Sequence, residues 1–280
     1  KIGLYSIIYL KTPPHLVVDT LVELAKKLGK GGASGFINGL LRSYLKKGYE
    51  LPTDKIKNAS IKYSKPEFLV GKIFKDYGDE IANKILNYDE ENTFIRFNNG
   101  VDGEKYLTEN GVSFIKTPFS DCFLVNGFKM NGDFYSGIYT FQSIGSVAIC
   151  NAIEKGDNLL DCCSAPGGKA VYLADKFNKV LACDVHLHRV DLIKSYIERM
   201  NKNNVETKRA DMAEYNEELD GKFEVVLCDA PCSGTGVIKD NPDININRTY
   251  NDILSLTKLQ QNILNTVCKY VKVGGCLYYS

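Results

Sequence analysis

From about Gly137 to the end, the chain alternates short apolar runs with helix-period stretches, and this pattern limits the fold more than any other feature. The runs "NLLDCC" (158–163), "KVLACD" (179–184), "VETKRAD" (205–211), "FEVVLCDAP" (223–231) and "GCLYYS" (275–280) read as strands. Between them, "GGKAVYLADKF" (167–177), "HRVDLIKSYIERM" (188–200) and "DILSLTKLQQNILNTVCKYV" (252–271) read as helices. Such alternation predicts an α/β fold, a parallel sheet with helices on both faces. Ligands of such sheets lie outside the carboxyl ends of the strands. Each unusual cluster in this sequence falls at one of those ends.

The preceding residues follow other periods. Leu16, Val17, Leu21, Leu24 and Leu28, then Phe36, Ile37, Leu40, Leu41, Tyr44 and Leu45, recur at three- and four-residue steps, closed by glycines at 29 and 48. They predict a small all-helical unit over residues 1–58, with "YELPTDKIKNAS" (49–60) as a linker. "SKPEFLVGKIFKDYG" (64–78) predicts a helix with Ser64 as N-cap and Glu67 completing a capping box. "TFIRFN", "SFIKT" and "CFLVN" predict strands around a short helix at "GEKYLTENG". Residues 59–135 therefore read as a small α+β domain, and 136–280 as the parallel-sheet domain.

Bulk properties exclude several classes. The 280 residues, 44% apolar, can bury substantial cores. Nine cysteines form no CxxC and accompany only three histidines, which argues against a metal site and against a secreted disulfide framework. Most read as small buried residues in a reducing cytoplasm. No apolar run approaches the ~20 residues of a membrane helix. The opening "KIGLYSIIYL" resembles the inside of a helix, has no initiating methionine, and suggests a fragment. Residues 1–75 hold 14 Lys and Arg against 5 Asp and Glu, a net of +9, and the remainder carries −8. That asymmetry fits a polyanionic partner, and solvated helix faces produce similar excesses.

At the first strand end stands Asp161-Cys162-Cys163-Ser164-Ala165-Pro166-Gly167-Gly168-Lys169. Small residues there let a ligand approach the backbone, although a tight strand-to-helix turn would use the same residues. The loop is neither GxGxxG nor a phosphate-binding GxxxxGK[ST]. Asp184 ends the second strand, where an acid accepts ribose hydroxyls or simply caps a helix. Asp211 ends the third, where an adenine would lie. Three acids at successive strand ends describe a nucleoside cofactor with no pyrophosphate, which favours S-adenosylmethionine over a nicotinamide. His186 and His188, two apart, do not share a helix face and read as surface or capping residues.

At the fourth strand end, Asp229-Ala230-Pro231-Cys232 brings a carboxylate and a thiol together. A thiol beside a methyl donor suits methylation of carbon-5 of a pyrimidine, because that carbon becomes nucleophilic only after a thiolate adds to carbon-6. The base must also leave its stack, at a cost of a few kcal/mol. This chemistry alone leaves open whether Cys232 is the nucleophile.

These residues carry a family resemblance. "CSAPGGK" (163–169), "DAPCSGTG" (229–236), "VHLHRV" (185–190) and "NPDI" (241–244) resemble the Sun/Fmu (RsmB-type) ribosomal RNA cytosine-5 methyltransferases of the NOL/NOP/Sun family. "GFINGLLR" (35–42) is similar to the end of the family's NusB-like helical RNA-binding domain, and Arg96-Phe97-Asn98 to its small RNA-recognition-like domain. The resemblance implies a Rossmann-like methyltransferase core and transfer from S-adenosylmethionine to a cytosine of small-subunit rRNA, by a cytoplasmic monomer. It implies Cys163, Ser164, Ala165, Pro166, Gly167, Gly168 and Lys169 at the donor, Asp184 at the ribose, Asp211 near the adenine and Asp229 at the donor–base junction. Arg42, Arg96 and Asn98 are implied RNA contacts. Cys232 is implied to release the methylated product, with the nucleophile in a Thr-Cys-Ser motif expected just beyond Ser280, so Cys276 is not the nucleophile. Two departures stand out: Gln142-Ser143 replaces a usual Gln-Asp, and "NPDININ" lacks a common tryptophan. Other readings remain: a non-catalytic RNA-binding assembly factor, a methyltransferase of another RNA such as tRNA, and a nicotinamide oxidoreductase, which would leave Asp229 and Cys232 unexplained.

Overall fold

The computed structural model describes residues 1–88, 92–238 and 241–280, in two compact units, Lys1–Leu86 and Asn87–Ser280. Sequence spacing had suggested three.

The first unit is helical throughout. Helices Ile2–Ile8, Pro14–Lys27 and Ser34–Lys47 bury Val17, Val18 and Leu41 against Leu4, Ile7, Leu21, Val22 and Ile37. Proline at the first position costs the second helix nothing, since that N–H has no intrahelical partner. Lysines 26, 27, 46 and 47 fill the last turns, where the helix dipole favours cations. The expected linker instead holds a helix, Lys55–Tyr63, capped by Asp54, whose side chain accepts from the Lys57 N–H at 2.8 Å. Ser64 is the left-handed residue that ends this helix (φ 52°), so it does not cap the next one. That next helix, Glu67–Leu86, kinks at Gly78 and packs Val70, Ile73, Phe74 and Leu86 on Ile56, Ala59 and Tyr63.

The second unit joins two sheets. The smaller is antiparallel and comprises β1 (Thr93–Phe97), β2 (Phe114–Lys116), β3 (Cys122–Val125) and β4 (Tyr139–Phe141), in the order β2-β3-β1-β4. Phe97, Phe123, Tyr139 and their aromatic neighbours fill its buried face. The fourth strand lies beyond residue 135, so the small sheet overruns the boundary expected from sequence.

The larger sheet comprises β5 (Gly156–Asp161), β6 (Phe177–Asp184), β7 (Val205–Arg209), β8 (Phe223–Cys228) and β9 (Val271–Tyr279), all parallel in the order β7-β6-β5-β8-β9. Strand alternation splits its apolar residues between two faces. Leu159, Val180, Ala182, Val225 and Leu227 meet helices Ile144–Ala152, Gly168–Leu173 and Leu187–Arg199. Leu160, Cys183, Val226 and Cys228 meet Ile263 and Val267 of helix Tyr250–Val267. The chain steps outward from β5 to β7, then returns to β8 beside β5. That reversal opens a crevice at the carboxyl ends of β5 and β8.

Candidate active site

Asp161 ends β5 inside this crevice. It is fully buried, and neither carboxylate oxygen has a hydrogen-bonding partner among the described residues. Burial pushes its pKa up to about 7. The Ser164 hydroxyl and Lys169 pull it down in part, whereas Asp229 and Asp184 push it further up. The loop that follows is pinned to both neighbouring strands. The Cys162 N–H donates to the Leu227 carbonyl at 2.9 Å, and the Ser164 N–H to the Cys183 carbonyl at 2.8 Å. Gly167 adopts φ 109°, and a Cβ there would stand 3.3 Å from Ile193, so the loop needs glycine for conformation and for clearance.

Asp184, 2% exposed, accepts the His186 N–H at 3.1 Å. Its other oxygen is 3.5 Å from Arg189 Nε, and Arg189 also donates to the Ala165 carbonyl at 3.4 Å. This arginine therefore ties the acid of β6 to the loop of β5. Asp211 follows β7, is exposed, and accepts the Ala213 N–H at 2.9 Å.

Asp229, just past β8, is partly buried and ion-paired with Lys169 of the β5 loop. The two sequence motifs thus meet through one carboxylate and one ammonium. Helix Tyr250–Val267 buttresses the turn, with Gln260 Nε2 donating to the Pro231 carbonyl at 2.9 Å. A Cβ on Gly234 would lie 2.7 Å from Ile244, so "NPDI" packs directly beneath "DAPCSGTG". Cys232 is exposed. By contrast, burial pushes the thiols of Cys162 and Cys163 far up and those of Cys183 and Cys228 up to about 12 and about 11. Those four are packing groups held as thiols. Ser280 closes β9 beside this turn: the Ala230 N–H donates to its carbonyl at 3.1 Å.

The expected donor-loop residues and the acids at 184, 211 and 229 therefore stand along one edge of one sheet. The expected RNA contacts do not join them. Arg96 is 1% exposed and donates from Nε to Gln142 Oε1 at 2.6 Å, so its charge faces the protein interior and not RNA. Asn98 donates to the Met200 carbonyl at 3.2 Å and fastens the small sheet to helix Leu187–Arg199. Arg42 is exposed on a helix of the first unit. Sequence reading counted Asp161 among the strand-end acids without giving it a contact, and omitted Arg189 and Gln260 from the site. The position of Asp161 at a strand end was the available signal, whereas Gln260 gives none because its partner lies 29 residues away. Among the described residues, no group of three or more His, Cys, Asp or Glu could hold a metal ion, and no helix is long and apolar enough to cross a membrane.

Comparison with known proteins agrees with this geometry. The family description "16S rRNA methyltransferase RsmB/F" matches residues 148–280, and "NusB family" matches residues 1–46. A probable ribosomal RNA small subunit methyltransferase B of Bacillus subtilis (strain 168) is 30% identical over 308 residues, covering 100% of this chain and 67% of its own length. Ribosomal RNA small subunit methyltransferase B of Proteus mirabilis (strain HI4320) is 30% identical over 299 residues, covering 100% and 69%. Among solved structures, PH0851 superposes with a TM-score of 0.77 at 24% identity, covering 94% of this chain and 62% of its own. NSun6 from Pyrococcus horikoshii, solved with SFG, superposes at 0.66 with 18% identity, covering 76% and 82%. These two likenesses establish a shared fold. The chain belongs to the RsmB/F family of 16S rRNA methyltransferases.

Proposed function

We propose that this chain methylates carbon-5 of a cytosine in small-subunit (16S) rRNA, with S-adenosylmethionine as donor. One observation carries the reading: an acid buried without a partner, Asp161, shares a crevice with the Lys169–Asp229 pair, three residues before an exposed thiol at Cys232. The relatives' names support the RNA, and a neighbour sharing this fold was solved with SFG, which supports a small-molecule ligand.

The residues suit the donor. Its ammonium, ribose hydroxyls and adenine amino group each need an acceptor, and Asp161, Asp184 and Asp211 offer them at the ends of three adjacent strands. At about 4.8 Å per strand, the acids span roughly 10 Å. When bound, S-adenosylmethionine supplies an electrophilic methyl group.

The protein's own groups manage the base. Lys169 holds Asp229 at the junction, where the carboxylate accepts a hydrogen bond from the amino group of the cytosine as charge develops. A thiolate adds to carbon-6, carbon-5 takes the methyl group, and loss of the carbon-5 proton expels the thiolate and restores the ring. Cys232 acts in that last step: its thiolate takes the proton. The adding cysteine belongs to a Thr-Cys-Ser segment following Ser280. Because Ser280 pairs with Ala230, residues beyond it begin next to this turn. The basic first unit, with Arg42, holds the RNA, and the chain acts in the cytoplasm as a monomer.

The test is methyl transfer from labelled S-adenosylmethionine to bare 16S rRNA, comparing this chain with one extended past Ser280 by a Thr-Cys-Ser segment. Label on cytosine carbon-5 from the longer chain alone is the expected result. Label from the 280-residue chain makes Cys232 the nucleophile. Cofactor binding without label from either chain favours an RNA-binding assembly factor.

A further inference from the structure

The small sheet reaches the donor loop through one side chain. Gln142 directly follows β4 and is 9% exposed. Besides donating to Gln142 Oε1, Arg96 lays its guanidinium 4.7 Å over the Tyr172 ring. A guanidinium has donors only, so it decides which end of the amide faces it: the oxygen. Gln142 Nε2 is thereby turned away, buried, with no acceptor among the described residues. It lies 3.7 Å from where a Cβ on Gly168 would stand, and the Tyr196 ring bounds the same space at 3.6 Å. The Tyr196 hydroxyl is already engaged by Thr140. A buried amide that leaves a donor unpaired beside the donor loop is accounted for when a ligand completes it.

If Asp211 and Asp184 take adenine and ribose, the amino-acid end of the donor lies over β5. Asp161 suits the ammonium there, and the carboxylate needs a donor. Lys169 is committed to Asp229. We infer that Gln142 binds the carboxylate of S-adenosylmethionine through Nε2, with Arg96 as the residue that positions it. This rests on the reading of the chain as an S-adenosylmethionine enzyme.

Calorimetric binding of two ligands tests the assignment: S-adenosylhomocysteine, and 5′-methylthioadenosine, which lacks the amino-acid end. In Gln142→Ala, affinity for S-adenosylhomocysteine falls roughly tenfold or more, the value of a hydrogen bond to a charged group, while methylthioadenosine binds unchanged. Gln142→Glu gives the same split without undoing the fold, because Glu still accepts from Arg96 yet sets a carboxylate against that of the ligand. Arg96→Lys, which frees the amide to turn, also weakens S-adenosylhomocysteine alone. Equal losses for both ligands, or none for either, overturn the assignment and leave Gln142 a strut between sheet and loop. A wild-type chain that binds neither ligand removes the cofactor reading itself, and this assignment with it.

Discussion

Asp161 keeps its proton to near neutrality because burial at the end of β5 outweighs what Ser164 and Lys169 offer its charge. Its pKa rises from 3.8 to about 7 by burial. Between those values the folded chain holds a proton that the unfolded chain has released, so stability falls as pH rises through that window. Asp161→Asn removes the titration. Its melting temperature should gain on wild type from pH 5 to pH 8, by roughly 2–4 °C per kcal/mol for a chain this size, while S-adenosylhomocysteine affinity drops. Scanning calorimetry that finds a pH-independent gap contradicts the assignment of this acid. Cys232 gives a second test. In a chain extended past Ser280 to include the proposed Thr-Cys-Ser segment, Cys232→Ala should retain a protein–RNA adduct that survives denaturing gels. Loss of adduct and turnover together makes Cys232 the attacking thiol.

Helix Ile144–Ala152 shows how a departure from the family pattern can be structurally neutral. Ser143 caps it, accepting the Ser146 N–H at 3.3 Å, which is the work the usual aspartate can also do. Ser143→Ala should cost about 1 kcal/mol in denaturant unfolding, and Ser143→Asp should restore it. If Asp destabilises the chain, the exchange is more than a change of cap. The central strands β5, β6 and β8 were legible because each ends in a buried apolar run followed by its functional residue, whereas the polar edge strand β7 was legible only from its place in the alternation. Helix Lys55–Tyr63 was not legible, since Pro52 and Asp54 look like linker residues until one sees that Asp54 caps. Nor could local sequence show that Arg96 turns inward, because its partner Gln142 lies 46 residues away. An arginine beside Phe97 and Asn98 carries the same letters whether it meets RNA or an amide. The donor loop and acids were legible as chemistry, whereas Asp161 became prominent only once its lack of partners was visible.

The charge asymmetry is a property of the whole chain, +9 over residues 1–75 against −8 beyond. If the basic part grips phosphates, log affinity for 16S rRNA should fall linearly with log salt concentration from about 50 to 200 mM, each contact adding about 0.7 to 0.9 to the slope. A flat profile in filter binding assigns those lysines to solvated helix faces. The small sheet adds a constraint of order in time. β1 contributes Arg96 to Gln142, the loop after β1 contributes Asn98 to the Met200 carbonyl, and Arg199 donates back to the carbonyls of Phe134 and Tyr139. A chain leaving the ribosome at about 5–20 residues per second therefore makes the four strands and then waits several seconds for the helix that secures them. During that interval the nascent protein carries an unfinished aromatic sheet, so a ribosome stall after Gln142 has emerged but before Met200 has should expose it to chaperones and proteases more than a later stall.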